Sequence, residues 1–447
     1  MKREANIAVA MAVLVAAASL AVAGGVARAA QAVRRGQRVH QTVETIPNPA
    51  AHLQAQAQAA LDQKDYASAV PLLTSYLKDE PGDAIAHFQL GYAYTALRRW
   101  DDAEAEYRKA VELNPKLAPA QLDLGLILLQ HDPAAAVEPL RQAVTLDPNQ
   151  AQTHLLLGLA LVRSGKPADA VAQYQAAVKL DDNSFQAHFE LAHALLAIHR
   201  AAEAEPEFRR ALALQANSAD AQAGLAGALL EEGKTAEGMA ELETYLKQRP
   251  GDETARLQLA GLLEGAGRLD DALAQLAQIH SPGPNALEAD RRSAQILLQQ
   301  KKYAEAVRPL RAALALVPSD SMLRADLGHA LMKQKDFKAA SQELALAVTL
   351  DPNLTPAWSD LTIALYQTGQ WAGTLGALNH VEQAEPLTAV AWFVRATCYD
   401  HLGLLAQAIA AYKTFLDVDN GKLATDEDLA RERLPVVEDL LQHQQKR

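Results

Sequence analysis

Thirteen histidines and one cysteine are the side chains of this 447-residue sequence best suited to metal or nucleophilic chemistry. Their spacing argues against both uses. A bound metal needs clustered ligands, as in His-Glu-x-x-His or paired Cys-x-x-Cys, and neither pattern occurs. Cys398 has His401 one helical turn away, but no third group to orient a base, and a lone thiol packs as a small apolar group. Gly261, Gly265 and Gly267 cluster without a preceding strand or the Lys-Ser/Thr ending of a phosphate loop. They read as a soft point between helices. His87, His154 and His188 share one column of a periodic pattern with Trp358 and Trp392, which reads as packing near a helix start. No cofactor, metal or catalytic site is expected, so the chain is predicted not to be an enzyme.

The composition says what must position any remaining site. Hydrophobic residues make up 49% and aromatic residues only 5%, so Ala, Leu and Val carry the core, which suits close helix packing better than sheets. A single cysteine excludes a disulfide within the chain. The net charge of −12 opposes a broad grip on nucleic acid, which needs a basic footprint.

Lys2 and Arg3 precede an uncharged run from Ala5 to Ala27, followed by the small-x-small pattern Ala27-Arg28-Ala29. Residues 1–29 read as a cleaved export signal, as a retained membrane anchor, or as neither, and the first two imply an exported, periplasmic or secreted location, anchored in the second case. The basic residues Arg28, Arg34, Arg35 and Arg38 just beyond the run work against translocation. Residues 30–49 read as a linker. Residues 1–49 hold six Lys/Arg and two Asp/Glu, which leaves 36 basic against 52 acidic residues, a net −16, in the remainder.

From Ala50 the chain repeats every 34 residues, with new repeats at Ala84, Ala118, Ala151, Phe185, Ala219, Glu253, Leu287, Ser321, Thr355 and Ala389. Only the third repeat is a residue short. Place eight is always small, as at Gly91, Gly125, Gly158 and Gly328, and so is place twenty, as at Ala103 and Ala170. Place twenty-four is always large, as at Tyr107, Leu140, Tyr174 and Phe208. Small columns mark where two helices cross closely, and the large column fills the space beside the crossing. Gly165-Lys166-Pro167 and Glu232-Gly233-Lys234 mark turns inside repeats, and Pro81-Gly82-Asp83 and Pro250-Gly251-Asp252 mark turns between them. Asp83, Asp252 and Asp320 are placed to cap the following helices. Pro71, Pro139, Pro206 and Pro309 are expected near the first turn of second helices, where a missing N–H costs least. After Lys422, the residues Leu429, Leu434, Val437, Leu440 and Leu441 predict an apolar face on a capping helix over 423–447.

Leu90-Gly91-Tyr92-Ala93-Tyr94, the run from Trp100 to Tyr107 and Leu113-Asn114-Pro115 resemble the tetratricopeptide repeat throughout. The resemblance covers residues 50–422 and implies an all-α, right-handed superhelical solenoid of eleven helix-turn-helix repeats. It also implies that the first helices line a groove for peptides or helices of other proteins. Its groove places in repeats two to five hold Phe88, Tyr92, Leu122, Leu126, Leu129, Leu155, Leu159, Val162, Phe189, His193 and Leu196, an apolar lane. Such a lane either docks a partner or packs on itself. In repeat eight, Arg291 and its neighbour Arg292 either hold a partner carboxylate or simply solvate a helix face. The expected function is a non-enzymatic interaction scaffold of the cell envelope. A homo-oligomerising structural role through the end helices is the alternative, and an enzyme or cofactor-binding protein a remote one.

Overall fold

The computed structural model describes residues 49–445 apart from Asn420. The signal-or-anchor stretch and most of the proposed linker therefore lie outside the described residues. Pro49 itself opens the first helix, Pro49–Asp62.

The fold is all-α: the described residues form twenty-three helices and no strand. Residues 49–248 and 249–445 fall into two compact segments, each a stack of short helix pairs with its own apolar clusters. Inside a repeat the columns meet as their sizes require. A Cβ on Gly91 would lie 2.8 Å from the Tyr107 ring, and one on Gly158 would lie 2.5 Å from the Tyr174 ring. Place twenty-four therefore packs directly onto the bare backbone of place eight. Ala103, Ala136 and Ala170 at place twenty are fully buried.

The turns inside repeats share one backbone device. Place fifteen is left-handed in ten repeats, with φ between 57° and 78°, as glycine at Gly165, Gly233, Gly267, Gly369 and Gly403 and as Lys64, Arg98, His199, Lys301 and Lys335 elsewhere. The third repeat lacks it, which locates the missing residue. There helix Ala118–His131 runs into Pro133–Leu146, and Asp132 both ends the first and caps the second. A Cβ on Gly165 would meet nothing within 4 Å, so the cost of adding one is conformational. Gly165→Ala is expected to cost about 1 kcal/mol in urea unfolding. Arg98→Gly, at the equivalent place, is expected to shift the midpoint the other way.

Asp83, Asp252 and Asp320 cap as expected, accepting from Ala86, Ala255 and Leu323 backbone N–H groups. Several other expectations change. Pro71 and Pro139 stand at the sixth and seventh residues of helices Tyr66–Asp79 and Pro133–Leu146, in the second turn and not the first. Pro206 and Pro309 sit likewise inside Ala201–Leu214 and Tyr303–Leu316. The second helix of repeat seven is cut to Leu269–Leu276 by the Pro282-Gly283-Pro284 break, and the next helix starts early, at Pro284 instead of Leu287. The last helix is Ala424–Gln445. Its buried face is Ala430 and Val437, with Leu434 packed beside them, while Leu429 and Leu440 are exposed. Arg433 fixes this rotation by donating to both Asp400 carboxylate oxygens, at 2.6 and 2.9 Å.

Candidate functional site

Place four is a column of hydrogen-bond donors, a role that residue type alone did not reveal. Where it is His or Arg, as at His87, His154, His188, Arg256 and Arg324, the side chain reaches back six residues to a carbonyl oxygen in the turn before its helix and forward nineteen residues to the second helix of its own repeat, whereas Leu53 and Asp290 hold the place in repeats one and eight. His188 holds the Asp182 carbonyl oxygen at 3.1 Å through Nε2 and Glu207 at 2.5 Å through Nδ1. His154 does the same to the Pro148 carbonyl oxygen at 3.0 Å and Gln173 at 2.9 Å. Arg256 donates to the Pro250 carbonyl oxygen at 2.7 Å and to Gln275 at 2.9 Å. Gln121 and Trp358 donate to the Pro115 and Pro352 carbonyl oxygens. His, Gln, Arg and Trp share no shape, but all can donate to a carbonyl. In those repeats the column ties the turn to the helix pair that follows it. The signal was present as the i−6 spacing from a Pro-rich turn.

The described residues contain no cluster of three or more metal-ligand side chains. Burial pushes the Cys398 thiol up to about 11, which suppresses thiolate. His401 stacks on Trp371 with ring centroids 4.2 Å apart. Gly261 has a different job from the one expected. It leaves room for the Arg292 guanidinium, whose terminal nitrogen would lie 2.8 Å from a Cβ there.

The apolar lane divides by place. Phe88, Leu122 and Leu155 at place five, and Leu129 at place twelve, are buried in the core. The expectation that they line a groove is corrected: place five turns toward the second helices, as the 5.8 Å approach of Phe88 to Tyr107 shows. Place nine keeps an open edge. Tyr92, Leu126, Leu159 and His193 are half-buried there, joined by Val162 and Leu196 at place twelve and by Phe189 at place five. Phe189 keeps its edge because its ring leans on His193, with centroids 4.5 Å apart. Burial and the Tyr66 hydroxyl push the Tyr92 phenol up to about 12, so it stays neutral at ordinary pH.

The paired arginines do not act together. Arg291 bonds Asp320, the last residue of its own repeat and the cap of the next helix. Arg292 turns to the preceding repeat, donating to Glu264 at 2.9 Å and to the Leu257 carbonyl oxygen at 3.2 Å. Each charge is already matched inside the fold, which corrects the carboxylate clamp.

Comparison with curated protein sequences finds no match. Two profiles of the tetratricopeptide repeat match, one over residues 55–118, 155–219 and 360–422, the other over 195–257, 229–291 and 297–365. Among solved structures the chain is similar to YrrB, described as a TPR protein with an unusual peptide-binding site. That match has 21% identity and a TM-score of 0.39, covering 41% of this chain and 95% of YrrB. It is also similar to a MamA structure at 19% identity and TM-score 0.36, covering 37% of this chain and 92% of that one. MamA from Desulfovibrio magneticus RS-1 gives 22% identity and TM-score 0.35 over 39% of this chain and 99% of that one. Between residues 55 and 422 the two profiles together leave out only 119–154 and 292–296, and those stretches continue the same helix pairs. The chain belongs to the tetratricopeptide repeat family.

Proposed function

We propose that this chain is a non-enzymatic scaffold of the cell envelope that docks apolar or amphipathic segments of other proteins along the first helices of repeats two to five. One observation carries the reading. Seven side chains on four consecutive first helices (Tyr92, Leu126, Leu159, Val162, Phe189, His193 and Leu196) stay half-buried while their neighbours are sealed in the core. A continuous apolar edge on a rigid stack is the usual form of a partner site. Export rests on Lys2-Arg3, the uncharged run from Ala5 to Ala27 and the small-residue exit at Ala29. Cell fractionation tests it, and recovery of the chain among cytosolic proteins would remove the envelope from this reading.

The lane is tested by crosslinking in the native compartment with wild type and with a Tyr92→Asp, Leu126→Asp, Leu159→Asp variant. The three changes are expected to abolish crosslinked partners while the helical circular dichroism persists. An unchanged set of partners would place docking elsewhere. The homo-oligomer alternative predicts a dimer in light scattering that is lost on truncation near residue 420.

A further inference from the structure

Places six and nine form a second line of contacts, between the first helices of neighbouring repeats. Gln89 at place six donates to Gln58 at place nine of the repeat before, at 2.8 Å. Asp360 lies 2.6 Å from His329 in the same register. Arg292 sits over Gly261 likewise. Beside the lane this line carries acids opposite groups that cannot neutralise them: Asp123 stands in register with Tyr92, and Glu190 with Leu159.

Glu190 accepts a bond from Gln186 at 2.5 Å, and burial raises its carboxyl above the ordinary range against the pull of that bond and of the Arg163 charge. The Tyr174 hydroxyl, within electrostatic reach of Glu190, is buried with no hydrogen-bond partner among the described residues. Asp123 takes the Tyr107 phenol as donor, and burial pushes it up to about 7. At the groove places of repeats one to five, Arg163 is the one Lys or Arg, and it donates to the Leu129 carbonyl oxygen at 3.3 Å. The lane is therefore apolar, with two enclosed carboxyl groups: Asp123 stands against Tyr107 and Tyr92, and Glu190 has Arg163 within electrostatic reach but not as an ion pair.

We infer that Asp123 and Glu190 are anchor points for cationic side chains, so that the lane takes an amphipathic protein segment carrying Lys or Arg among its apolar residues. This rests on the lane reading above and names the partner class for it. A partner ammonium or guanidinium at either carboxyl replaces lost hydration with a charge-assisted bond, in a site where an acidic segment meets repulsion. The net charge of −16 over residues 50–447 steers encounter in the same sense.

The test uses the full chain at pH 8 and fluorescence anisotropy. The probes are labelled Leu/Ala peptides of about 20 residues with Lys at every fourth place, or with Gln in those positions. The Lys peptide is expected to bind about tenfold more tightly than the Gln peptide. In an Asp123→Asn, Glu190→Gln variant the gap between the two peptides should close to within about twofold. Equal binding of both peptides to wild type, or a gap that survives in the variant, overturns the anchors. A Leu126→Asp, Leu159→Asp variant that still binds both peptides overturns the lane itself, so the two failures are separable. A peptide of residues 26–48, with Arg28, Arg34, Arg35 and Arg38, that displaces the Lys probe far below the probe's own concentration would make the occupant this chain and overturn a foreign partner.

Discussion

Gly158→Val is expected to cost about 3 kcal/mol and to open helices Ala151–Arg163 and Pro167–Leu180 locally. A Cβ at residue 158 would lie 2.5, 2.7 and 2.8 Å from three atoms of the Tyr174 ring, closer than real contacts allow. The ring is fully buried and has nowhere to retreat. Repeat five shows what retreat requires. There Ala192 stands at place eight, and the Phe208 ring leans instead on Gly224, at place six of the next repeat. Tyr174 meets Glu190 at that place. Gly158→Ala should therefore also destabilise, though less, because alanine returns about 1 kcal/mol of helix propensity. Adding Tyr174→Leu to Gly158→Ala should recover most of the loss, since leucine faces alanine in this way at Leu73 and Ala57. Hydrogen exchange across both helices reads each step. Wild-type protection in Gly158→Val would mean the contact is looser than the geometry requires.

The same columns mark how far the fold was readable from residue types. Small at eight, large at twenty-four and Pro-rich turns at fixed intervals are properties of type alone, and they located the helix pairs. Failures came where type does not determine direction. Phe88 and Tyr92 are both aromatic and both on the groove side by resemblance, yet one points between helices and the other stays at the edge. The two are a helical turn apart, about 40° in direction at 100° per residue, and hydrophobicity does not encode so small a difference. The arginine pair failed differently. Arg291 and Arg292 are adjacent in the chain, which on a helix sends them apart, so that one meets Asp320 at the end of its own repeat and the other Glu264 in the preceding repeat. The place-four donors were hidden because His, Gln, Arg and Trp look unrelated until the shared carbonyl acceptor is seen.

Left-handed place fifteen was half legible. Five glycines sit there openly, but Lys64, Arg98, His199, Lys301 and Lys335 adopt the same φ without a residue type that announces it. In those repeats the tightness of a two-helix turn overrides local preference, at a conformational cost of about 1 kcal/mol each. The packing of each pair must outweigh that cost, which fits stability residing in neighbour contacts.

Asp123→Asn is expected to stabilise the segment of residues 49–248 on the order of 3 kcal/mol at pH 8, and by progressively less as the pH falls. In the unfolded chain this carboxyl titrates near the ordinary aspartate value of 3.8, whereas burial pushes it up to about 7 in the fold, against the Tyr107 bond that lowers it. Between those two values the folded chain keeps a proton that the unfolded chain has released. Wild-type stability from this group therefore falls as pH rises through that window and is flat above it. Asparagine has no proton to lose, so the variant lacks this slope, and its advantage should be largest above pH 7 and vanish near pH 4. Taking the difference between variant and wild type cancels every other titrating group. Hydrogen exchange in helix Ala118–His131 at pH 5 and pH 8, corrected for intrinsic rates, measures it. The Lys peptide should narrow the pH 8 difference, because its ammonium stabilises the wild-type carboxylate and has nothing to pair with in the variant. A difference that stays constant with pH would show that Asp123 is not enclosed, and would remove it as an anchor together with its cost.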